Sequence, residues 1–189
     1  MVKPESFIKI CSLLQFDMAR KKSSKPTMEY LFVVRHGTYG YDDHLDDQGH
    51  QQMRELGDII KDILRNKEPI QILSSSSNRG HESAETFASK LGVNGIETFD
   101  YLWSASDSPW ENQYGDMPKI HELVSEQRKR TRGLILITHL EISTEYPAYF
   151  TKQEFDKSLY FSKIPKGDAY FLNLPVKEWK QLPSGILVH

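Results

Sequence analysis

The stretch Glu29-Tyr30-Leu31-Phe32-Val33-Val34-Arg35-His36-Gly37-Thr38 sets the reading of the whole chain. Leu31 to Val34 is a continuous apolar, partly β-branched run, the composition of a strand covered on both faces in a parallel sheet. The run ends abruptly in polar residues. Arg35 brings a fixed positive charge and a planar fork of donors, and His36 an imidazole able to act as a nucleophile. Gly37 lacks a Cβ and lets an anion approach the backbone. Ligands of α/β sheets sit at the carboxyl ends of strands, where these three residues fall. On its own the triplet equally fits an ordinary strand end, so the segments around it decide.

Outward from it, Thr38 to Asp47 is a polar loop with Gly40 and four aspartates, placed to shape access to the sheet edge. Asp46 is a plausible N-cap for a helix whose Met53, Leu56, Ile59, Ile60, Ile63 and Leu64 recur at spacings of three and four, with an end near Asn66 before Pro69. Ile70 to Leu73 reads as a second parallel strand. The run Ser74-Ser75-Ser76-Ser77-Asn78-Arg79 then leads into a helix with Ala84, Phe87, Ala88 and Leu91 on its apolar face. Arg79 at that helix's start could share an anion with the free N–H groups there; by itself it also reads as a solvent-facing arginine. His81 reads as a rim residue.

Ile96 to Phe99 is a short strand, and Asp100 to Gly115 a long connection carrying Trp103 and Trp110. Met117 to Arg132 has a helical pattern, with Arg128, Lys129, Arg130 and Arg132 near its end, where cations complement the helix dipole. Leu134 to Thr138 returns to the sheet and puts His139 at a strand end, as His36 is. Ile142 to Phe150 forms another helix. Beyond it, Tyr160-Phe161, Asp168 to Asn173 and Lys177-Glu178-Trp179 alternate as strands do, with Gly167 to Leu172 as an antiparallel edge.

The composition narrows the function. With 189 residues and 38% hydrophobic content, the chain suits one domain. Its 24 basic and 26 acidic residues leave a net charge of -2, so no global field recruits nucleic acid, and any attraction for phosphate is local. Cys11 is the only cysteine, which excludes an internal disulfide and agrees with a reducing, cytoplasmic setting. No apolar run approaches the ~18 residues of a membrane span. Residues 1–27 form an extension in which Phe7, Ile8, Ile10, Leu13, Leu14 and Phe16 could line a short helix ahead of a basic run. It reads either as a segment packed on the domain or partly disordered, or as a surface anchor that touches a membrane. The sequence shows no metal-ligand spacing and no glycine-rich nucleotide loop, so neither metal nor cofactor is expected.

Taken in order, Arg35-His36-Gly37, Leu45 to Gln52, the serine run with Arg79, and Leu134 to His139 resemble the histidine phosphatase (phosphoglycerate mutase-like) superfamily from about residue 28 to the C-terminus. The resemblance implies a three-layer α/β/α sandwich with a mainly parallel central sheet. It implies a metal-independent phosphatase in which His36 becomes phosphohistidine while Arg35, Gly37, Thr38, Arg79, His139 and Leu140 hold the phosphoryl group. Members with carbon-ester substrates often carry a proton-donating glutamate as Leu-x-Glu, where this chain reads Leu102-Trp103-Ser104. Asp107 is the first substitute, with Asp100, Glu111 and Glu141 behind it. The residues after His139, Leu140-Glu141, also depart from the usual pattern. The lost acid, the compact catalytic portion and the segment Tyr101 to Ser106 look closest to the SixA-like phosphohistidine phosphatase branch, whose phosphoprotein substrates need less acid assistance. A small-molecule phosphomonoesterase using Asp107, or a catalytically weak phosphate-binding module, fits the same residues.

Overall fold

The computed structural model describes residues 28–65, 67–104 and 114–183. The 1–27 extension, Asn66, and the loop with Asp107, Trp110 and Glu111 lie outside the described residues.

Strand β1 (Tyr30–Arg35) sits inside a six-stranded sheet with β2 (Ile70–Ser75), β3 (Glu97–Phe99), β4 (Gly133–Thr138), β5 (Ala169–Asn173) and β6 (Glu178–Leu182), in the order β3-β2-β4-β1-β5-β6. Strands β3, β2, β4 and β1 run parallel, whereas β5 is antiparallel to β1 and β6 to β5. The sheet is therefore mixed and not mainly parallel. The reason is local: no crossover helix separates β5 from β6. Lys177 N donates to Leu174 O at 3.3 Å, and the tight turn it closes reverses the chain. Strand β5 is not the edge; β6 covers it.

Because side chains alternate across a strand, β1 feeds two cores. Leu31 and Val33 join Leu134, Leu136 and Tyr170 on one face, against α3 (Met117–Gln127) and α4 (Leu140–Phe155). Phe32 and Val34 join Ile72, Ile135 and Ile137 on the other, against α1 (Asp47–Ile63) and α2 (Asn78–Leu91). Leu31 to Val34 are all fully buried, as their uninterrupted apolar run requires.

Helix α1 starts at its Asp46 cap, whose carboxylate accepts from Gly49 N at 2.7 Å, and buries Met53, Leu56 and Ile60. Helix α3 stops at Gln127, short of Arg132, because Gln127 O takes the amides of Arg130 and Thr131 into a closing turn. The basic run beyond it is used in ion pairs: Arg128 with Glu154 at 2.8 Å, and Arg132 with Glu29. Helix α4 is longer than Ile142 to Phe150 and begins directly after His139. Tyr160-Phe161 is not a strand. Phe161 instead packs flat elements together, with its ring 4.8 Å from Tyr170 and 4.6 Å from Trp179. No helix among the described residues is long and apolar enough to cross a membrane.

Candidate active site

Strands β1 and β4 are adjacent and in register, Arg35 opposite Thr138, so the residue after each strand emerges at the same edge of the sheet. Those residues are His36 and His139. His36 N donates to Thr138 O at 3.1 Å, and the two imidazole centroids lie 4.8 Å apart. Both rings are buried, at 3% and 2% exposure.

The third strand to end here, β2, delivers the serine run. Ser77 caps α2 by accepting from Gly80 N at 3.0 Å, which places Arg79 in the first turn. Arg79 is 2% exposed, a burial that a guanidinium tolerates only when its donors are used. Its Nε donates to His36 Nε2 at 3.3 Å and its Nη2 to His139 Nδ1 at 3.2 Å, while Nη1 pairs with the Asp43 carboxylate. One guanidinium thus ties both imidazoles together.

These bonds fix both tautomers. His36 Nε2 accepts from Arg79, so its proton is on Nδ1, which donates to Gly37 O at 2.8 Å. His139 Nδ1 accepts from Arg79, so Nε2 carries the proton and donates to Ser75 Oγ at 3.0 Å and Ser77 Oγ at 3.3 Å. Burial, with Arg79 and Arg35 adding to it, pushes the His36 pKa down to about 3. Burial first, then His36, Arg79 and Arg35, holds His139 well below the ordinary histidine value. Both rings are neutral at physiological pH. His36 presents an in-plane lone pair on Nε2 towards the cationic cluster, the state a nitrogen nucleophile needs.

Arg35 closes the other side. Its Nη1 donates to Ile164 O at 2.8 Å, and its buried Nε has no hydrogen-bond partner among the described residues. Burial lowers the Arg35 pKa, opposed by the fields of Glu141, Tyr39 and Asp168. Trp103 lies parallel over His139 at 6.0 Å, and the Tyr39 ring centroid is 4.5 Å from Arg79 Cζ.

Other residues named from the sequence have different duties. A Cβ on Gly37 would lie 2.7 Å from Gly49 O, and one on Gly49 would lie 2.0 Å from Thr38 O. Gly37 is small so that β1's end can touch the start of α1, and its N–H is used by Ser83 Oγ at 3.3 Å. Thr38 donates through N to Gln52 and through Oγ1 to Asp46, which ties it to the α1 cap. Leu140 opens α4 beside the site, its carbonyl accepting from Ser143 and Thr144. His81 is on the rim, paired with Glu85 at 3.5 Å.

Of the carboxylates considered as acids, Asp107 and Glu111 fall outside the described residues, and Asp100 is exposed. Glu141 is half-buried and accepts from Ser104 Oγ at 3.2 Å. Glu141 on α4 thereby meets the serine of Leu102-Trp103-Ser104. Two residues of the site were not singled out from the sequence. Asp43 bridges Arg79 and the α2 N-terminus, where Asn78 N donates to it at 3.0 Å. Lys166 lines a cavity of about 560 Å³ together with Tyr39, Gly40, Tyr41, Asp43 and Arg79. Among the described residues, no group of three or more His, Cys, Asp and Glu converges as metal ligands do.

No protein-family model and no curated protein matches the chain. Solved structures do. The protein histidine phosphatase SixA complexed with tungstate matches 82% of this chain and 97% of its own, with 16% identity and a TM-score of 0.57. A mycobacterial glucosyl-3-phosphoglycerate phosphatase with inorganic phosphate matches 84% and 100%, with 13% identity and a TM-score of 0.58. The phosphoglycerate mutase of Plasmodium falciparum matches 82% and 89%, with 19% identity and a TM-score of 0.51. These neighbours are histidine phosphatase superfamily proteins, and the chain shares their α/β fold.

Proposed function

We propose that this chain is a histidine phosphatase that hydrolyses phosphate monoesters or phosphoramidates through a phosphohistidine on His36. The observation that carries the reading is the single buried guanidinium of Arg79 hydrogen-bonded to both His36 Nε2 and His139 Nδ1. Arg79, already paired with Asp43, lies between two neutral imidazoles, and a phosphoryl group brings acceptor oxygens that its donors and those of Arg35 can share.

In the forward step, Arg79 turns its donors to the phosphoryl oxygens and releases His36 Nε2, whose freed lone pair forms a bond to phosphorus as the bond to the leaving group breaks. Arg35 and Arg79 stabilise charge on the equatorial oxygens, and His139, once Arg79 has left its Nδ1, turns its ring so that Nε2–H leaves the serines and donates to those oxygens. The proton stays on His36 Nδ1, which goes on donating to Gly37 O and so steadies the cationic phosphoimidazole. The leaving group takes a proton from a carboxylic acid, and the carboxylate so formed takes one back from the water that follows. Glu141 suits that role through its reach to Ser104, and Asp107 retains it as the reading from sequence. Water then cleaves the N–P bond, releasing phosphate and regenerating His36. Every positive charge in this scheme belongs to the protein, so the activity is metal-independent.

The finer assignment follows the same residues. A SixA-like protein phosphohistidine phosphatase fits the serine in place of an acid, because a phosphoramidate leaves readily. A catalytically weak phosphate-binding module is the second reading, favoured by Ser104 standing where an acid would protonate the leaving group. The same reading takes 28–189 as the phosphatase domain, places it in the cytoplasm, and treats residues 1–27 as an extension to it.

The test is hydrolysis of an aryl phosphate by the wild type and His36→Ala, with rapid-quench mass spectrometry of the peptide holding His36. A phosphorylated His36 and an inactive variant are the expected results. Turnover that survives in His36→Ala overturns the proposal.

A further inference from the structure

Lys166 sits in the turn before β5, and the next residue, Gly167, donates its N–H to both Arg35 O at 3.2 Å and His36 O at 3.0 Å. The lysine backbone is thus fixed to the end of the nucleophile's strand. Its ammonium lies 4.0 Å from the centroid of the Tyr39 ring, the same ring that Arg79 approaches at 4.5 Å. Lys166 and Arg79 line one cavity. Arg79 has Asp43 as its counter-charge there, whereas no carboxylate among the described residues forms an ion pair with Lys166. Burial lowers the Lys166 pKa, and Arg35 and Arg79 lower it further, against a smaller opposing effect from Asp46.

Once an incoming, doubly charged phosphoryl group displaces Asp43 from Arg79, it is matched by Arg35 and Arg79. The ammonium is a third positive charge, half-buried and held by a backbone that cannot retreat from the site. We propose that Lys166 recognises a second anionic group, carboxylate or phosphate, on a small phosphomonoester whose phosphoryl group lies on His36. This deepens the phosphatase reading and rests on it for the position of the phosphoryl group. Tyr39 forms the wall between the two subsites, and the exposed Tyr41 marks the mouth through which the remainder of the substrate leaves.

The experiment is calorimetric binding of a matched three-carbon series to the full chain: propyl phosphate, 3-phosphooxypropionate and 1,3-propanediol bisphosphate. The wild type should bind one or both of the doubly anionic ligands about tenfold more tightly than propyl phosphate, the gain of one charge-assisted contact. Which of the two gains tells carboxylate from phosphate. Lys166→Met should bring that ratio below about two, and Lys166→Arg should restore most of it. No preference in the wild type, or an equal loss on all three ligands in Lys166→Met, overturns the proposal. Because binding is read and not turnover, the two readings separate. Preference without His36-dependent hydrolysis sinks the phosphatase reading alone, hydrolysis without preference sinks this one, and failure to bind any of the three sinks both.

Discussion

The buried, neutral state of His36 makes the protein sensitive to acid in a calculable way. An unfolded chain gives His36 its ordinary pKa of about 6.5, while the folded site holds it near 3. Above pH 6.5 the imidazole is neutral in both states and contributes nothing. As pH falls below 6.5, the unfolded chain takes up a proton that the native state refuses, so folding loses stability until about pH 3. Between pH 7 and pH 5 this one residue should cost about 2 kcal/mol. His139, shifted in the same direction, adds to the loss. The measurement is urea unfolding of the wild type and His36→Gln at pH 7, 6 and 5. The wild type should lose about 2 kcal/mol more over that range than the variant, whatever the variant's stability at pH 7. Parallel pH profiles would show that the folded imidazole accepts a proton freely, and the assigned tautomer and its role would fall with it. The same reasoning places the acid limb of any activity profile elsewhere, since His36 stays unprotonated well below pH 5.

Three further outcomes follow from the site. Asp43→Asn removes the carboxylate that an incoming anion must displace from Arg79, while asparagine tolerates the positive φ of 66° at that position. Vanadate should inhibit this variant at about fivefold lower concentration, and weaker inhibition would mean that Asp43 serves to orient Arg79. Gly37→Ala drives a methyl into the Gly49 backbone and should lower stability by about 1–3 kcal/mol in urea, so an unmoved midpoint would contradict the contact. If Glu141 protonates the leaving group, Glu141→Gln should slow alkyl phosphates about 100-fold and aryl phosphates far less. The same pattern in Asp107→Ala and not in Glu141→Gln would move the acid to Asp107.

What could be read from the sequence was whatever lies at the end of a regular element. The apolar runs before His36 and His139 identify strands, and two such strands side by side bring the histidines together. Arg79 follows from the serine cap of α2. The purpose of Gly37 was not legible, because its neighbour Gly49 touches it only after α1 folds back along β1. Asp43 and Lys166 escaped for a related reason. They stand in turns without periodicity, and their meaning comes from the Tyr39 ring and Arg79 across the cavity. Likewise, Ser104 gives no hint that Glu141 meets it from α4, 37 residues on.

Strand β1 is the first element of the described fold, yet both its neighbours come late: β4 at Gly133–Thr138 and β5 at Ala169–Asn173. During synthesis the strand that leads to His36 must therefore wait roughly a hundred residues for its first partner and longer for its second. Loop-closure entropy opposes any earlier pairing, so the apolar run of Leu31 to Val34 stays uncovered on the emerging chain. Activity should arise all at once when the last strands arrive, and chains cut before β4 should present an adhesive segment with no chemistry.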